Sequence, residues 1–367
     1  KNSRMVIFNK FSLNKFNNSF YYHTKIEKLC SKLNNYLNEF NRENFYLIDL
    51  NKIFNVKGLQ NYINNRDFHS LKILYKYDFY KDYVKHITPL ILSNNGKTKK
   101  VVVLDCDNTL WPGILGEDGA EKIVEKMKTP IGFFFREIHK IILNLYNEGV
   151  ILCLCSKNNE KDVLDFVDQN SELNLNSDNF LIKKINWKNK HDNIFEISKK
   201  LNLSLDSFVF VDDSEFEVNL ITEKMPEVKT FLVPKNINEY PIQFLNLLPL
   251  FYKKDLTKED KLRNISYTNL LKRENSKGKF SNIEDYLKSL NMNISIHIND
   301  KDILTRMSQM TQKTNQFNLT TKRYTEKEIS NFLEDKSYLV IAISVNDNFG
   351  DFGVTGLCII KSSNKDA

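Results

Sequence analysis

Two carboxylates at alternate positions follow an apolar strand and could flank one substrate atom. Val101–Leu104 leads directly into Asp105, Cys106 and Asp107, and residues i and i+2 of an extended segment project to the same side. One carboxylate can attack phosphorus as a nucleophile, while the other gives and takes the proton of the leaving group. Because a carboxylate repels a phosphate, this chemistry needs a cation such as Mg²⁺, held by carboxylates and backbone oxygen. Asp105 and Asp107 are therefore the candidate centre of a phosphoryl-transfer site.

The partners that such a centre needs stand at the ends of other elements. Asp212 and Asp213 follow another apolar strand and add carboxylates for a metal ion. Ser156 follows a third strand and offers a hydroxyl, with nearby backbone N–H groups, to a phosphate oxygen. Lys190 lies at the start of a predicted helix, where its positive charge can stabilise a transferring phosphoryl group.

These residues belong to a region in which apolar strands alternate with amphipathic helices, one of them predicted over residues 131–146. Strands that are apolar throughout and joined by helices are typical of a parallel sheet covered on both faces. Ligands of such sheets bind at the carboxyl ends of the strands, where the candidate residues fall. The predicted strands are Val101–Leu104, Val150–Cys155, Phe180–Ile182, Phe208–Val211 and Lys229–Val233.

The pattern divides the 367 residues into three regions. Residues 1–96 are predicted to form an N-terminal α/β region of unclear role, with a helix over Thr24–Phe40 and a strand over Phe45–Leu50. Residues 97–255 carry the candidate site. Residues 256–367 are predicted to form an α+β region.

The C-terminal region is predicted to contain a strand, two helices and a β-hairpin, after a helix that opens at a capping box of Ser281 and Glu284. The strand covers Asn293–Ile298, and the two helices cover 302–311 and 325–333. The hairpin strands, Tyr338–Val345 and Gly353–Ile360, are joined by a turn that contains glycine.

The chain resembles the haloacid dehalogenase superfamily of phosphoryl-transfer enzymes in four motifs. They are a strand followed by DxDxT, a strand followed by Ser, a helix that begins with Lys and a strand followed by DD. Five longer strings resemble the FkbH-like subfamily, strongly over residues 100–325 and more loosely outside them. Cys106 and Pro112 depart from the pattern, since other members commonly have Leu and Gly there. The strings are LDCDNTLWPGILGEDG (104–119), LCSKNN (154–159), NWKNKHDNI (186–194), VFVDDSEFE (209–217) and TNQFNLTTKRY (314–324).

The resemblance implies a Rossmann-like, magnesium-dependent domain with a minimal cap. It implies action on a small phosphorylated substrate, 1,3-bisphosphoglycerate, with loss of phosphate and transfer of a glyceryl group to an acyl carrier protein. A plain phosphatase acting on a sugar or glycan precursor is the first alternative, and a non-catalytic scaffold is the second. The C-terminal pattern resembles the opening half of an acetyltransferase-like (GNAT) domain, which implies a partial domain of that kind.

The metal-binding and proton-transfer roles fall on four residues by the same resemblance. Asp105 matches the nucleophile, which is also a metal ligand. Asp107 matches the acid/base, whose backbone oxygen also binds the metal. Asp212, assisted by Asp213, completes the metal site.

Four further residues match positions around the phosphate. Thr109 supports the loop, and Ser156 and Lys190 hold the phosphate.

Cys155 leaves two interpretations open. A cysteine that ends a buried strand is most often a small core residue, but a thiolate beside the phosphate pocket could take up the glyceryl group before the carrier does.

Composition limits the remaining classes. The 53 basic and 46 acidic residues give a formal net charge of +7, but they are mixed along the chain, which argues against a nucleic-acid partner. No apolar stretch is long enough for a membrane span, and no secretory signal pattern is visible. Five irregularly spaced cysteines suit a reducing compartment, so a cytoplasmic protein is expected. Lys1 stands where a complete chain has methionine, so a fragment is one interpretation.

Overall fold

The computed structural model describes residues 5–13, 24–40, 44–253, 263–277, 282–313, 318–320 and 322–361. The chain divides into two compact units. The first comprises residues 1–99 and 244–255, and the second comprises residues 100–243 and 256–367. The three-domain division with boundaries after residues 96 and 255 stays a prediction.

The first unit is an α/β unit with its own core. Its two strands pair in parallel, and Ile53, Phe54, Tyr62 and Phe79 pack together in its core. The strand predicted over Phe45–Leu50 is shorter than expected, because the Asp49 side chain caps the next helix by accepting from Asn51 N–H. The elements are β1 (Val6–Asn9), α1 (Lys25–Glu39), β2 (Phe45–Ile48), α2 (Leu50–Lys57), α3 (Leu59–Tyr62), α4 (Asn65–Leu71) and α5 (Tyr77–Asn94).

The second unit contains the predicted parallel sheet. Its five strands lie in the order β5-β4-β3-β6-β7, and every neighbouring pair is parallel. The strands are β3 (Val101–Leu104), β4 (Ile151–Ser156), β5 (Ile182–Ile185), β6 (Phe208–Asp212) and β7 (Lys229–Leu232). The helices are α6 (Leu115–Asp118), α7 (Ala120–Met127), α8 (Pro130–Asn147), α9 (Glu160–Gln169), α10 (Lys190–Leu201) and α11 (Glu215–Lys224). Helix α12 (Tyr240–Leu245) begins in this unit and ends in the residues assigned to the first.

Burial explains why the central strands are apolar throughout. Every residue of β3, β4 and β6 is buried, as expected for strands covered by helices on both faces. Strand β5 is an edge strand with two half-buried lysines, Lys183 and Lys184. The prediction from an apolar run therefore placed it too early, at Phe180–Ile182.

The segment between β3 and β4 forms no separate domain. Between β3 and β4, all of whose residues are described, the chain forms α6, α7 and α8 and no further strand. This agrees with the minimal cap expected from the sequence, because the segment adds only two short helices, of 4 and 8 residues, before α8.

The C-terminal part of the second unit has the predicted element order. It forms an antiparallel sheet in the order β10-β9-β8, and β9 and β10 make the predicted hairpin. Ser281 and part of the string 314–324 lie outside the described residues, and Asn282 caps α14. The resemblance to a GNAT domain stays a prediction. The elements are α13 (Arg263–Lys277), α14 (Ile283–Ser289), β8 (Asn293–Ile298), α15 (Leu304–Lys313), α16 (Glu326–Glu334), β9 (Tyr338–Asp347) and β10 (Gly350–Lys361).

Helices α5 and α8 each have 18 residues, and both carry charged side chains. Within the described part of the chain, no helix is both long and apolar enough to cross a membrane.

Candidate active site

The two central strands bring Asp105 and Asp212 side by side. Asp105 directly follows β3 and Asp212 ends β6. The backbone N–H of Asp105 donates to Val211 O at 3.0 Å, which continues the parallel ladder by one residue. Parallel pairing therefore places both carboxylates at the same edge of the sheet, as the sequence predicted.

The ammonium group of Lys190 joins these two carboxylates. Its Nζ lies 2.7 Å from Asp105 Oδ1 and 2.7 Å from Asp212 Oδ2, and all three side chains are buried. Burial acts to lower the pKa of Lys190, but the two carboxylates outweigh it and hold the pKa above its ordinary value. Lys190 is therefore a fixed cation within the site.

A third carboxylate leaves the cluster short of positive charge. Carboxylate oxygens of Asp105, Asp212 and Asp213 lie within 4.8 Å of one another. Burial raises the pKa of Asp212, and the charge of Asp105 raises it further although Lys190 opposes both. Burial and Asp105 also raise the pKa of Asp213. With all three carboxylates ionised, they and Lys190 carry a formal charge of −2, and an all-oxygen donor set suits a hard divalent cation.

Asp107 is held by three N–H donors. Its Oδ1 accepts from the indole Nε1 of Trp111 and from the backbone N of Leu115, both at 2.9 Å. Its Oδ2 accepts from Asn158 Nδ2 at 2.8 Å. Burial raises the pKa of Asp107, and these donors oppose that effect. The carboxyl group is therefore fixed in one orientation beside Asp105.

Thr109 and Ser156 lie around the same strand ends. Thr109 is fully buried, and its backbone carbonyl accepts from the hydroxyl of Tyr240 at 3.2 Å. Its own Oγ1 has no hydrogen-bond partner among the described residues. Ser156 ends β4 and is buried, and it lowers the pKa of the nearby Cys106 thiol although burial raises that pKa well above its ordinary value. Both residues therefore line the loop that carries Asp105 and Asp107.

Cys155 belongs to the hydrophobic core of the sheet. It is fully buried in a core cluster with Ile194 and Phe210, and its Sγ lies 3.8 Å from Lys190 O. Burial raises the pKa of its thiol to about 12. Among the candidate residues it is the one that packs beneath the site, which favours the core-packing interpretation.

Three residues form hydrogen bonds in the site that the sequence analysis does not predict. Trp111 and Asn158 hold Asp107, and Tyr240 reaches Thr109 from 131 positions along the chain. Trp111 and Asn158 lie in the motif strings 104–119 and 154–159, so the motifs could have indicated that both residues belong to the site. The sequence around Tyr240 gave none.

Two comparisons with known proteins match this region. The family of NLI interacting factor-like phosphatases matches residues 100–263. The chain is also similar to a crystal structure of the N-terminal part of protein BF1531 from Bacteroides fragilis, described as containing a phosphatase domain complexed with Mg. That similarity has 30% identity and a TM-score of 0.60, and it covers 68% of this chain and 68% of the other.

A comparison with curated protein sequences found no match. The identity with a phosphatase-containing structure over two thirds of both chains agrees with the four strand-end motifs and with the parallel sheet that carries them. The chain therefore belongs to the haloacid dehalogenase superfamily and contains a phosphatase domain of that superfamily.

Proposed function

We propose that this chain is a magnesium-dependent phosphatase in which Asp105 is the nucleophile and Asp107 is the acid/base. The observation that carries the proposal is the cluster of Asp105, Asp212 and Asp213 around the ammonium group of Lys190. Its net negative charge would repel a phosphate, so a divalent cation is needed before substrate can approach. A non-catalytic scaffold has no use for buried carboxylates such as Asp105 and Asp212 beside a buried lysine.

The carboxylates of Asp105 and Asp212 and the backbone oxygen of Asp107 would hold the metal ion, with Asp213 assisting. When bound, Mg²⁺ would neutralise the phosphate and the facing carboxylates and polarise the phosphorus–oxygen bonds. The all-oxygen donor set and the charge of −2 fit this ion.

The side chains then divide the reaction between them. A carboxylate oxygen of Asp105 attacks phosphorus, and the bond from phosphorus to the leaving oxygen breaks as Asp107 gives that oxygen a proton. Water next attacks the aspartyl phosphate, Asp107 takes its proton, and Asp105 and inorganic phosphate are released. An ammonium group has three N–H donors, so Lys190 keeps one for a phosphate oxygen beside its two carboxylates. Ser156 donates to another.

The substrate proposed from the motif strings is 1,3-bisphosphoglycerate, and the product is a glyceryl group on an acyl carrier protein. The ester phosphate of this substrate would leave by the steps above. A thiolate would attack the carbonyl carbon of its acyl phosphate and expel the second phosphate, which leaves a glyceryl thioester. The short segment between β3 and β4 supports a bulky partner, because an uncapped site needs another surface to exclude water.

The accepting thiol is proposed to be the carrier's own. Cys155 is fully buried and its pKa is raised to about 12, so little thiolate forms there at neutral pH. A phosphopantetheine-type thiol on the carrier can enter the uncapped edge without rearrangement of the core.

Incubation with 1,3-bisphosphoglycerate, Mg²⁺ and a carrier protein, followed by the mass of the carrier, tests this proposal. We expect one glyceryl group per carrier together with release of the ester phosphate, and neither with Asp105→Asn. Phosphate release without a change in carrier mass would support the plain phosphatase of a sugar or glycan precursor instead. No phosphate release from this or any other phosphate ester would contradict both proposals.

A further inference from the structure

The residue that fixes the acid/base group of the proposed reaction lies on a neighbouring strand. Asn158 follows β4, two residues beyond Ser156, and its side-chain amide donates to Asp107 Oδ2 at 2.8 Å. Asn158 is buried, with 7% of its surface exposed. Its own Oδ1 accepts from the backbone N of Asn159 at 3.3 Å, which fixes the direction of the amide. The contact therefore joins the loops after β3 and β4.

The two oxygens of Asp107 are not equivalent. Oδ1 accepts two N–H groups, from Trp111 and Leu115, and a carboxylate oxygen has about two lone pairs for such bonds. Oδ2 accepts one N–H, from Asn158, among the described residues. The lone pair left on Oδ2 is thus the position from which a proton can be given or received.

The placement of Asn158 decides where that lone pair points. The carboxylate can turn only about its Cβ–Cγ bond, and the N–H groups of Trp111 and Leu115 oppose that rotation by holding Oδ1. The Asn158 amide restricts this rotation by holding Oδ2. Trp111 is itself fully buried, and its ring lies 5.1 Å from that of Phe166 in an edge contact. The indole that donates to Oδ1 is therefore held in place by packing.

We propose that Asn158 is a positioning residue that directs Oδ2 of Asp107 at the leaving oxygen. This inference rests on the proposed function, in which Asp107 is the acid/base. In the first step the proton on Oδ2 passes to the leaving oxygen as its bond to phosphorus breaks, and in the second a proton from water returns to Oδ2. Asn158 contacts neither the substrate nor the phosphorus.

Two substrates that differ in their need for a proton test the inference. The phenolate of p-nitrophenyl phosphate leaves readily without protonation, whereas the alkoxide of glycerol 3-phosphate needs an acid. General acid catalysis contributes about 10²–10⁴-fold, so we expect Asn158→Leu to lower kcat for glycerol 3-phosphate by about 10–100-fold more than for p-nitrophenyl phosphate, with KM for both little changed. A general defect in packing would lower both equally.

A matched control is available next to it. Asn159 caps α9 by accepting from Lys161 N–H at 3.1 Å and does not contact Asp107. Asn159→Ala should lower the melting temperature but leave the ratio of the two kcat values unchanged. Asn158→Asp keeps the shape and replaces the donor by a like charge, so it should change the ratio at least as much as Asn158→Leu. This second variant serves as the test if Asn158→Leu does not fold.

The outcomes separate the two levels of the proposal. If the wild type hydrolyses both substrates with Mg²⁺ and Asp105→Asn hydrolyses neither, the proposed function is supported. An unchanged ratio in folded Asn158 variants would then overturn the positioning role alone. If the wild type hydrolyses neither substrate, the proposed function fails and the inference fails with it.

Discussion

One buried ammonium group, that of Lys190, holds two carboxylates together at the sheet edge. It contacts Asp105 and Asp212 at hydrogen-bond distance, and all three groups are shielded from water. Removal of one partner from a buried ionic group leaves uncompensated charge, which is more unfavourable than the pair itself is favourable.

Lys190→Met should therefore reduce both activity and stability. We expect phosphate release to fall by about 10³-fold or more and the free energy of unfolding to fall by about 3–5 kcal/mol, measured by phosphate assay and by urea denaturation. Lys188→Met is the matched control, since the Lys188 side chain is 69% exposed and lies 4.0 Å from Glu196. A stable and active Lys190 variant would contradict the assignment of this lysine.

The burial of Cys155 leads to a second expectation. Cys155→Ala should leave carrier loading within about twofold of wild type and lower the stability by about 1–2 kcal/mol through the small cavity it leaves. Peptide masses after treatment of the folded protein with iodoacetamide should show that exposed Cys358 reacts and that buried Cys155 does not. A glyceryl group found on the peptide that contains Cys155 would show that the thiol takes part in transfer.

Buried His139 should make the stability of the protein depend on pH. Its Nε2 donates to Leu110 O at 2.7 Å, and Nδ1 accepts from Asn174 N. Burial lowers its pKa from 6.5 to about 4, so below pH 6.5 the unfolded state binds a proton that the folded state does not. Stability should fall as the pH falls from 6.5 towards 4, and this residue should account for about 2 kcal/mol between pH 7 and pH 5. In His139→Gln, urea denaturation at both pH values should show a smaller loss, and an equal loss would contradict the assignment.

At the residue scale, the sequence could predict which side chains meet but not all their bonds. Asp105, Ser156 and Asp212 end parallel strands, and such ends necessarily share one edge of the sheet. The bonds from Asn158 and Tyr240 depend on rotamers and on the packing of distant segments. No spacing rule contains that information.

At the scale of elements, the entry to α8 is sterically fixed. A Cβ on Gly132 would lie 1.9 Å from Met127 O, which is backbone and cannot move aside cheaply. Strands with continuous apolar runs were predicted closely because burial on both faces requires that composition. Edge strand β5 and the Asp49 cap were predicted poorly, because neither is determined by hydrophobicity.

Gly132→Ala should thus lower the free energy of unfolding by about 1–3 kcal/mol, measured by thermal or urea denaturation. Gly116→Ala in α6 is the matched control, because a Cβ there meets nothing within 4 Å, and alanine favours helix. Equal stabilities of the two variants would contradict the close contact at α8.

At the scale of the whole molecule, the residues of the proposed chemistry lie at one edge of one sheet. The flanking regions supply no residue to the proposed phosphoryl-transfer steps, and the segment between β3 and β4 forms no separate lid. The glyceryl-transfer experiment uses the full chain, so it includes any role of the flanking regions in carrier docking.

The metal dependence of phosphate release tests the central claim most directly. The full chain is incubated with p-nitrophenyl phosphate in buffer stripped of divalent cations by EDTA, and Mg²⁺ is then added back in excess. Because the three carboxylates and Lys190 carry a net charge of −2, we expect no turnover before the addition and full turnover after it, with Asp105→Asn inactive throughout. Turnover that persists without divalent cations, or that survives in Asp105→Asn, would contradict phosphoryl transfer at this site.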